Sequence, residues 1–131
     1  MNPPRSARKA PATLIYVVDD EQLLLDLADV ALRGQGYQLK KFNDPADAFA
    51  AFTSEPRKPS LLLTDYAMAP LNGLELSERC KAAHPDLKIL MVSGTVTEEI
   101  ARGSSVRLDG FIAKPYQPST LADTVRALLY A

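Results

Sequence analysis

Residues 14–21 read LIYVVDDE, a run of five apolar side chains followed directly by three acidic ones. The apolar run is short and does not alternate with polar residues, so it predicts a strand buried on both faces, as in a parallel sheet. Three similar runs lie at 61–63, 89–92 and 111–113. A weaker strand is predicted at Gln38–Phe42, after the turn-forming Gly36 and nearer to an edge of the sheet.

Helical patterns lie between the strands, at residues 21–35, 46–54, 73–83, 97–103 and 118–130. The predicted inward faces are Leu24, Leu27, Ala28 and Ala31 on the first helix and Leu121, Val125, Leu128 and Leu129 on the last. Strict alternation of strands and helices places helices on both faces of a parallel sheet. A closed eight-unit barrel would need a much longer chain. We therefore predict an α/β fold with a doubly wound, five-stranded parallel sheet.

Composition limits the classes of protein that this chain fits. Its 131 residues suffice for one domain, and 47% are apolar while 24% are charged. The net charge of −1 predicts no general attraction to nucleic acid or to a membrane surface. The single Cys80 excludes an internal disulfide and fits a reducing cytoplasm. Residues 1–13 are interpreted as a flexible tail, which leaves residues 14–131 as the folded domain.

Polar side chains follow four of the predicted strands, at the point where each strand ends. Asp19 and Asp20 follow the first strand, Asp65 the third, Ser93 the fourth and Lys114 the fifth. In open α/β sheets, sites form at the carboxyl ends of the strands, near the point where the strand order reverses. We therefore expect these five side chains to converge.

Such a cluster is equipped for phosphoryl transfer. Three carboxylates repel one another and Lys114 neutralises only one, so a divalent cation is expected. Carboxylate and carbonyl oxygens favour Mg²⁺, with Mn²⁺ as an alternative. Asp65 could then attack a phosphoryl group and become an acyl phosphate, while Lys114 and the Ser93 hydroxyl stabilise the phosphate oxygens. A cis bond before Pro115 would aim Lys114 into the pocket.

Together these motifs closely resemble the receiver domain of two-component response regulators. The resemblance covers residues 14–130 and implies the strand order 2-1-3-4-5. The matching segments are Val18-Asp19-Asp20-Glu21, Leu63-Thr64-Asp65-Tyr66-Ala67-Met68 with Asn72-Gly73, Val92-Ser93-Gly94, and Phe111-Ile112-Ala113-Lys114-Pro115-Tyr116.

The resemblance implies a role for each site residue. Asp65 would accept the phosphoryl group from the phosphohistidine of a sensor histidine kinase or a histidine phosphotransfer protein. Asp20 and Asp65 would hold Mg²⁺ through their carboxylates, Asp19 through water, and Ala67 through its backbone carbonyl.

The resemblance also implies a conformational switch that controls binding of a downstream partner. When Ser93 moves to bind phosphate, the ring of Phe111 would turn into the space that the serine leaves. The change would alter the surface made by the fourth helix, strand 5 and the last helix. That surface would bind a downstream protein, with the chain a monomer or a phosphorylation-dependent homodimer.

Two departures from the family pattern concern the loop after the acceptor and the switch aromatic. Proline comes one place late, in Met68-Ala69-Pro70, so the loop backbone is expected to differ locally. The switch position holds Phe111 rather than tyrosine and therefore lacks a hydroxyl. Neither departure removes a ligand or the acceptor.

The sequence disfavours two other functions and leaves a third open. A phosphatase with an aspartyl-phosphate intermediate is disfavoured, because the second acid it generally needs would fall at Ala67. A nucleotide-binding protein is disfavoured because no glycine-rich loop follows the first strand. The domain could instead be part of a larger response regulator or hybrid histidine kinase. We expect a cytoplasmic switch rather than an enzyme, with no direct contact to nucleic acid or membrane.

Overall fold

A computed structural model describes residues 12–130. The prediction for residues 1–13 therefore lies largely outside the described residues. Five strands and five helices alternate along the chain, and their bounds are β1 Leu14–Val18, α1 Gln22–Arg33, β2 Gln38–Phe42, α2 Pro45–Ser54, β3 Leu61–Asp65, α3 Gly73–Ala83, β4 Lys88–Ser93, α4 Glu98–Arg102, β5 Gly110–Ala113 and α5 Pro118–Leu129.

The strands form one parallel sheet in the order β2-β1-β3-β4-β5. The predicted fold class and the strand order implied by the resemblance are both confirmed. Strands β1 and β3 are buried at every position, whereas β2 at the edge is half-buried or exposed, as the patterns predicted. The strand order reverses between β1 and β3, so a crevice opens there at the carboxyl ends of the strands.

Two hydrophobic layers cover the sheet. Tyr16 and Leu62 belong to the layer that contains residues of α2, α3 and α4, whereas Ile15 and Leu63 belong to the layer under α1 and α5. Neighbouring residues of a strand point to opposite faces, so every second side chain enters the same layer. The sheet is thus enclosed on both sides, and only its two edges and the strand ends remain open.

One of the residues predicted for the inward face of α1 is wrong. Leu27 is 40% exposed, whereas Ala28 is buried as predicted and Leu24 and Ala31 are half-buried. The centre of the inward face is turned toward Leu25 and Leu32, which are buried. Of the residues predicted for α5, Leu121 and Val125 are buried and Leu128 and Leu129 are half-buried.

Side chains fix where three of the helices begin. Asp44 accepts a hydrogen bond from the backbone N–H of Ala46, and Pro45 occupies the first helical position of α2. A capping box of Asn72 and Glu75 begins α3, and the Thr97 hydroxyl accepts from the Ile100 N–H in α4. These contacts satisfy N–H groups that have no partner within the helix. α4 has only five residues, the shortest of the described helices.

The two ends of the sheet carry different polar groups. We call the end where the strands finish, after Val18, Asp65, Ser93 and Ala113, the carboxyl edge, and the opposite end the amino edge. Because each helix runs antiparallel to its neighbouring strands, helix C-termini and their carbonyl groups gather at the amino edge. Several cations there donate to backbone carbonyls, among them Lys58 to Phe52 and Glu55, Lys81 to Leu87, Lys88 to Leu128, and Arg102 to Leu108.

Candidate functional site

A half-buried lysine joins two buried carboxylates at the carboxyl edge. The Nζ atom of Lys114 lies 3.0 Å from Oδ2 of Asp19 and 3.0 Å from Oδ1 of Asp65. The two carboxylate side chains are each 6% exposed and that of Lys114 is 14% exposed. The structure therefore brings together three of the residues that the sequence predicted to converge, and it shields them from solvent.

Backbone hydrogen bonds position these side chains. Asp65 is the last residue of β3 and is paired in register with Val92 of β4. The Asp19 N–H donates to the Phe42 carbonyl across the sheet, and the Lys114 N–H donates to the Ser93 carbonyl at 2.8 Å. The predicted cis peptide before Pro115 is confirmed, and the structure contains a second one between Ala69 and Pro70, in the loop where proline comes late.

A second acidic group lies beside the ion pair. Asp20 is exposed, and its carboxylate lies within 4.8 Å of those of Asp19 and Glu21. Glu21 was not predicted as a site residue, although its Oε1 is 4.0 Å from Lys114. Its place in the acidic run of residues 19–21 was the available signal, but a helix-terminal glutamate is common without such a role.

Negative charge exceeds positive charge among the site residues at the carboxyl edge. Burial raises the pKa of the Asp65 carboxyl above its ordinary value, although the Lys114 ammonium lowers it and nearby Asp19 adds to the rise. Burial acts to lower the pKa of Lys114, but its hydrogen bonds to Asp65 and Asp19 outweigh burial and the pKa is raised. Lys114 therefore stays protonated, and it is the only cation paired to these acids among the described residues.

The donor set fits a magnesium ion. Carboxylate oxygens of Asp19, Asp20 and Glu21 lie close enough together to share one hard cation. One lysine cannot neutralise the three clustered acids and Asp65, so a divalent cation would relieve their repulsion. Ala67, whose carbonyl was predicted as a further ligand, is exposed two residues beyond Asp65. The roles of Asp19, Asp20, Asp65 and Ala67 in holding the metal stay predictions.

The backbone of Asp65 is tightly packed against α3. The Gly73 N–H donates to the Tyr66 carbonyl at 2.8 Å. A Cβ atom at Gly73 would lie 2.2 Å from the Asp65 carbonyl oxygen, which is far closer than atoms can approach. Position 73 therefore has room only for glycine while Asp65 keeps its place, a constraint that the sequence analysis did not identify.

Ser93 is engaged by the loop that follows it. Its Oγ accepts hydrogen bonds from the backbone N–H groups of Thr95 and Val96, both at 3.0 Å, and the side chain is buried. Phe111 is half-buried and lines, together with Ser93 and Lys114, a cleft of about 370 Å³ beside α4. The structure thus places the two predicted switch residues around one cleft, and their movement stays a prediction.

Comparison with known proteins identifies the family. The model of the response regulator receiver domain matches residues 15–126, and the chain belongs to this family. Receiver domains are signalling switches of two-component systems, in which response regulators interact with histidine kinases. They generally bind Mg²⁺ at an acidic pocket, and an Asp-Asp-Glu cluster is present here.

Two curated relatives and one solved structure illustrate the similarity. The probable transcriptional regulatory protein TcrX of Mycobacterium tuberculosis is 27% identical over 126 residues, which cover 95% of this chain and 53% of that protein. The phosphate regulon transcriptional regulatory protein PhoB of Pseudomonas aeruginosa is 31% identical over 118 residues, covering 88% and 51%. The chain therefore spans about half the length of these relatives.

The solved structure is a CheY-like response regulator receiver domain from Methanospirillum hungatei. It superposes with a TM-score of 0.80 at 26% identity, covering 90% of this chain and 94% of that one. Within residues 12–130, no helix has the length and apolar character needed to cross a membrane.

Proposed function

We propose that this chain accepts a phosphoryl group on Asp65 from the phosphohistidine of a partner and changes its protein contacts in response, in the cytoplasm. One observation carries the proposal: the buried Asp65 carboxylate lies 3.0 Å from Lys114 at the carboxyl edge, beside the Asp19-Asp20-Glu21 cluster. In the transfer, a carboxylate oxygen of Asp65 bonds to phosphorus as the bond from phosphorus to the histidine nitrogen breaks. The electron pair of that bond leaves with the imidazole.

The residues around Asp65 have separate tasks in this proposal. Lys114 offers its ammonium to the phosphoryl oxygens, and Ser93 offers a hydroxyl once it releases the loop. Asp19, Asp20 and Asp65, with the Ala67 carbonyl, would hold Mg²⁺, which supplies positive charge to the transferring group. Mn²⁺ could replace it, because it accepts the same oxygen ligands.

Incubation with acetyl phosphate and Mg²⁺ tests the acceptor without a kinase. Intact-mass spectrometry should show one added phosphoryl group, and Asp65→Asn should abolish it. The matched control is Asp86→Asn, an exposed aspartate outside the site, which should leave the labelling unchanged. Labelling that persists in Asp65→Asn would refute the assignment.

The partner that supplies the phosphoryl group is proposed to dock on α1. Leu23, Leu27 and Val30 are 69%, 40% and 76% exposed and follow one another at helical spacing. Leu27 also lines an apolar groove with Tyr116 beside Lys114, so the stripe leads to the acceptor pocket. A histidine-bearing helical surface fits such a stripe, since its apolar residues would cover it while the histidine reaches Asp65.

Substitution within the stripe separates docking from chemistry. Val30→Ser should slow transfer from a phosphorylated histidine kinase or phosphotransfer protein that labels the wild type, while labelling by acetyl phosphate stays unchanged. Ile100→Ser, which changes a 65%-exposed apolar residue on α4, is the control and should slow neither reaction. Equal kinase transfer to Val30→Ser and wild type would contradict the docking face.

The output is proposed to arise at α4, β5 and α5. Turning the Ser93 hydroxyl toward phosphate would break its bonds to the Thr95 and Val96 amides, which support the start of α4. Ala101 is the only buried residue of this short helix, so little packing opposes its movement. Phe111 would then turn inward, and the altered face would bind a protein partner or a second copy.

Amide hydrogen exchange with and without beryllofluoride, a mimic of the phosphoryl group, tests this route. Exchange should change in residues 95–111 and in α5. A change confined to the loop at Asp65 would show that the domain does not signal through this face.

A second candidate is that the chain acts as the receiver part of a longer DNA-binding regulator. It is favoured because the matched relatives are transcriptional regulators about twice as long. In that case the altered face would control the rest of the protein. The sequence of the complete gene product would decide between the two.

A further inference from the structure

A cleft lies away from Asp65, at the amino edge. It has a volume of about 730 Å³ and lies between the C-terminal end of α4, the loop that precedes β5, and the C-terminal end of α5. Sites for small organic ligands have volumes of about 300–1,000 Å³. Asp65, Lys114, Ser93 and Phe111 do not line this cleft.

The charge of the lining is predominantly positive. Lys88, Arg102 and Arg107 contribute three cations, and Asp109 contributes the one carboxylate. That carboxylate is already engaged, since it accepts from the Ile89 N–H at 2.8 Å and lies 3.4 Å from Lys81. Arg102 is likewise paired, with Glu98 at 2.6 Å. An anion entering the cleft would therefore meet an excess of positive charge, chiefly from Lys88 and Arg107.

Hydrogen-bond donors remain available on all three cations. Arg107 is exposed and makes no hydrogen bond or ion pair with the residues that the structure describes. Arg102 uses Nε on Glu98 and Nη1 on the Leu108 carbonyl, which leaves further N–H groups of its guanidinium. Lys88 donates to the Leu128 carbonyl and keeps two of its three protons.

Apolar side chains form another part of the lining. Val106 and Leu108 are 8% and 4% exposed, and half-buried Leu128 lies beside them. Arginine pairs with phosphate through parallel hydrogen bonds, and an apolar surface suits a flat ring. Cations next to an apolar surface therefore suit a ligand that carries both groups. We infer that this cleft binds a phosphate ester of nucleotide size, with its phosphate on Arg102, Arg107 and Lys88 and its ring on the apolar residues.

Titration with ADP and GDP, followed by amide chemical shifts, tests the inference. Divalent cations are removed with a chelator so that the carboxyl edge, with its excess of acids, does not attract the phosphate. At least one nucleotide should bind saturably with a Kd of about a millimolar or less. The shifts should map to residues 102–109 and 128, and they should persist in Asp65→Asn.

The variants and smaller probes decide where and how the ligand binds. Arg107→Ala removes a side chain without a described partner, so the fold should be retained, and it should weaken nucleotide binding about tenfold. Arg79→Ala, which removes an exposed arginine on α3, should leave the affinity unchanged. Adenosine and inorganic phosphate should each bind more weakly than ADP.

Three results would overturn the inference. They are the absence of saturation by either nucleotide at about 10 mM, equal affinity in Arg107→Ala and wild type, and an affinity for inorganic phosphate equal to that for ADP.

Discussion

The carboxyl edge and the amino edge of the same sheet both carry charged side chains, but they satisfy them differently. At the amino edge, Lys58, Lys81, Lys88 and Arg102 donate to backbone carbonyls. At the carboxyl edge, Lys114 is shared between Asp19 and Asp65 while Asp20 and Glu21 lie nearby. The amino-edge cations bind main-chain oxygens and so stabilise the fold, although some keep N–H groups for a ligand. At the carboxyl edge the acids outnumber their one cation.

The same substitution at each edge should separate the two roles most clearly. Lys114→Met removes the only cation paired to the clustered acids, so labelling by acetyl phosphate should slow about 100-fold. Lys88→Met removes the donor to the Leu128 carbonyl, so the unfolding free energy should fall by about 1 kcal/mol. Labelling rates and urea unfolding of both variants measure this.

If the two edges have different roles, Lys114→Met should affect mainly the labelling rate and Lys88→Met mainly the unfolding free energy. Normal labelling in Lys114→Met, or slow labelling in Lys88→Met, would contradict this difference.

Glycine substitutions test the packing against the backbone of Asp65. Gly73→Ala would force a methyl group against the Asp65 carbonyl oxygen, where an ideal Cβ lies 2.2 Å away. We expect a loss of about 2–3 kcal/mol in unfolding free energy, together with slower labelling of Asp65. The control is Gly34→Ala, because the backbone there is helical and the nearest atom is 4.0 Å away.

The control should be neutral or stabilise by less than about 1 kcal/mol. If both alanine variants unfold with the same free energy, the close contact at Gly73 has no energetic effect.

Mg²⁺ binding tests whether the excess of acidic side chains at the carboxyl edge forms a metal site. Mg²⁺ should bind saturably by calorimetry, and Asp20→Ala should weaken it at least about tenfold because the cluster loses a carboxylate. Asp123→Ala removes an aspartate on α5 that pairs with Arg126, and it should leave the affinity unchanged. Equal Mg²⁺ affinity in Asp20→Ala and wild type would remove Asp20 from the ligand set.

A substitution in the core between the two edges should have the smallest effect on stability. The Tyr16 hydroxyl is buried and has no hydrogen-bond partner among the described residues, and burial raises the pKa of its phenol. Tyr16→Phe removes this unsatisfied group and keeps the ring, so the unfolding free energy should stay level or rise by up to about 1 kcal/mol. Thermal unfolding measures it, and a clear loss of stability would mean that the hydroxyl has a partner.

Strand patterns and strand ends predicted most of the fold and the centre of the site. Unbroken apolar runs followed by acids identify both the buried strands and the edge at which they finish, which is why Asp19, Asp65 and Lys114 were expected to meet. The third strand was predicted to end at Leu63, but β3 continues through Thr64 and Asp65. The apolar run could not show this, because these two residues are polar.

Other features depend on tertiary packing and were not predictable. α1 is apolar on most of its circumference, so its periodicity could not choose between Leu25 and Leu27 for the core; packing against α5 and the sheet decides. The contact of Gly73 with Asp65 joins residues of different elements, and glycine at the start of a helix gives no sign of it. The cations at the amino edge bind carbonyls, which every residue carries, so no sequence motif marks them.

Chemical trapping tests most directly whether Asp65 is the phosphoryl acceptor. After incubation with phosphoramidate and Mg²⁺, borohydride reduces an acyl phosphate of aspartate to homoserine, and peptide mapping locates that residue. We expect homoserine at position 65 alone, and none when Mg²⁺ is chelated. Homoserine at position 19 or 20, or at any other aspartate instead of Asp65, would contradict this assignment.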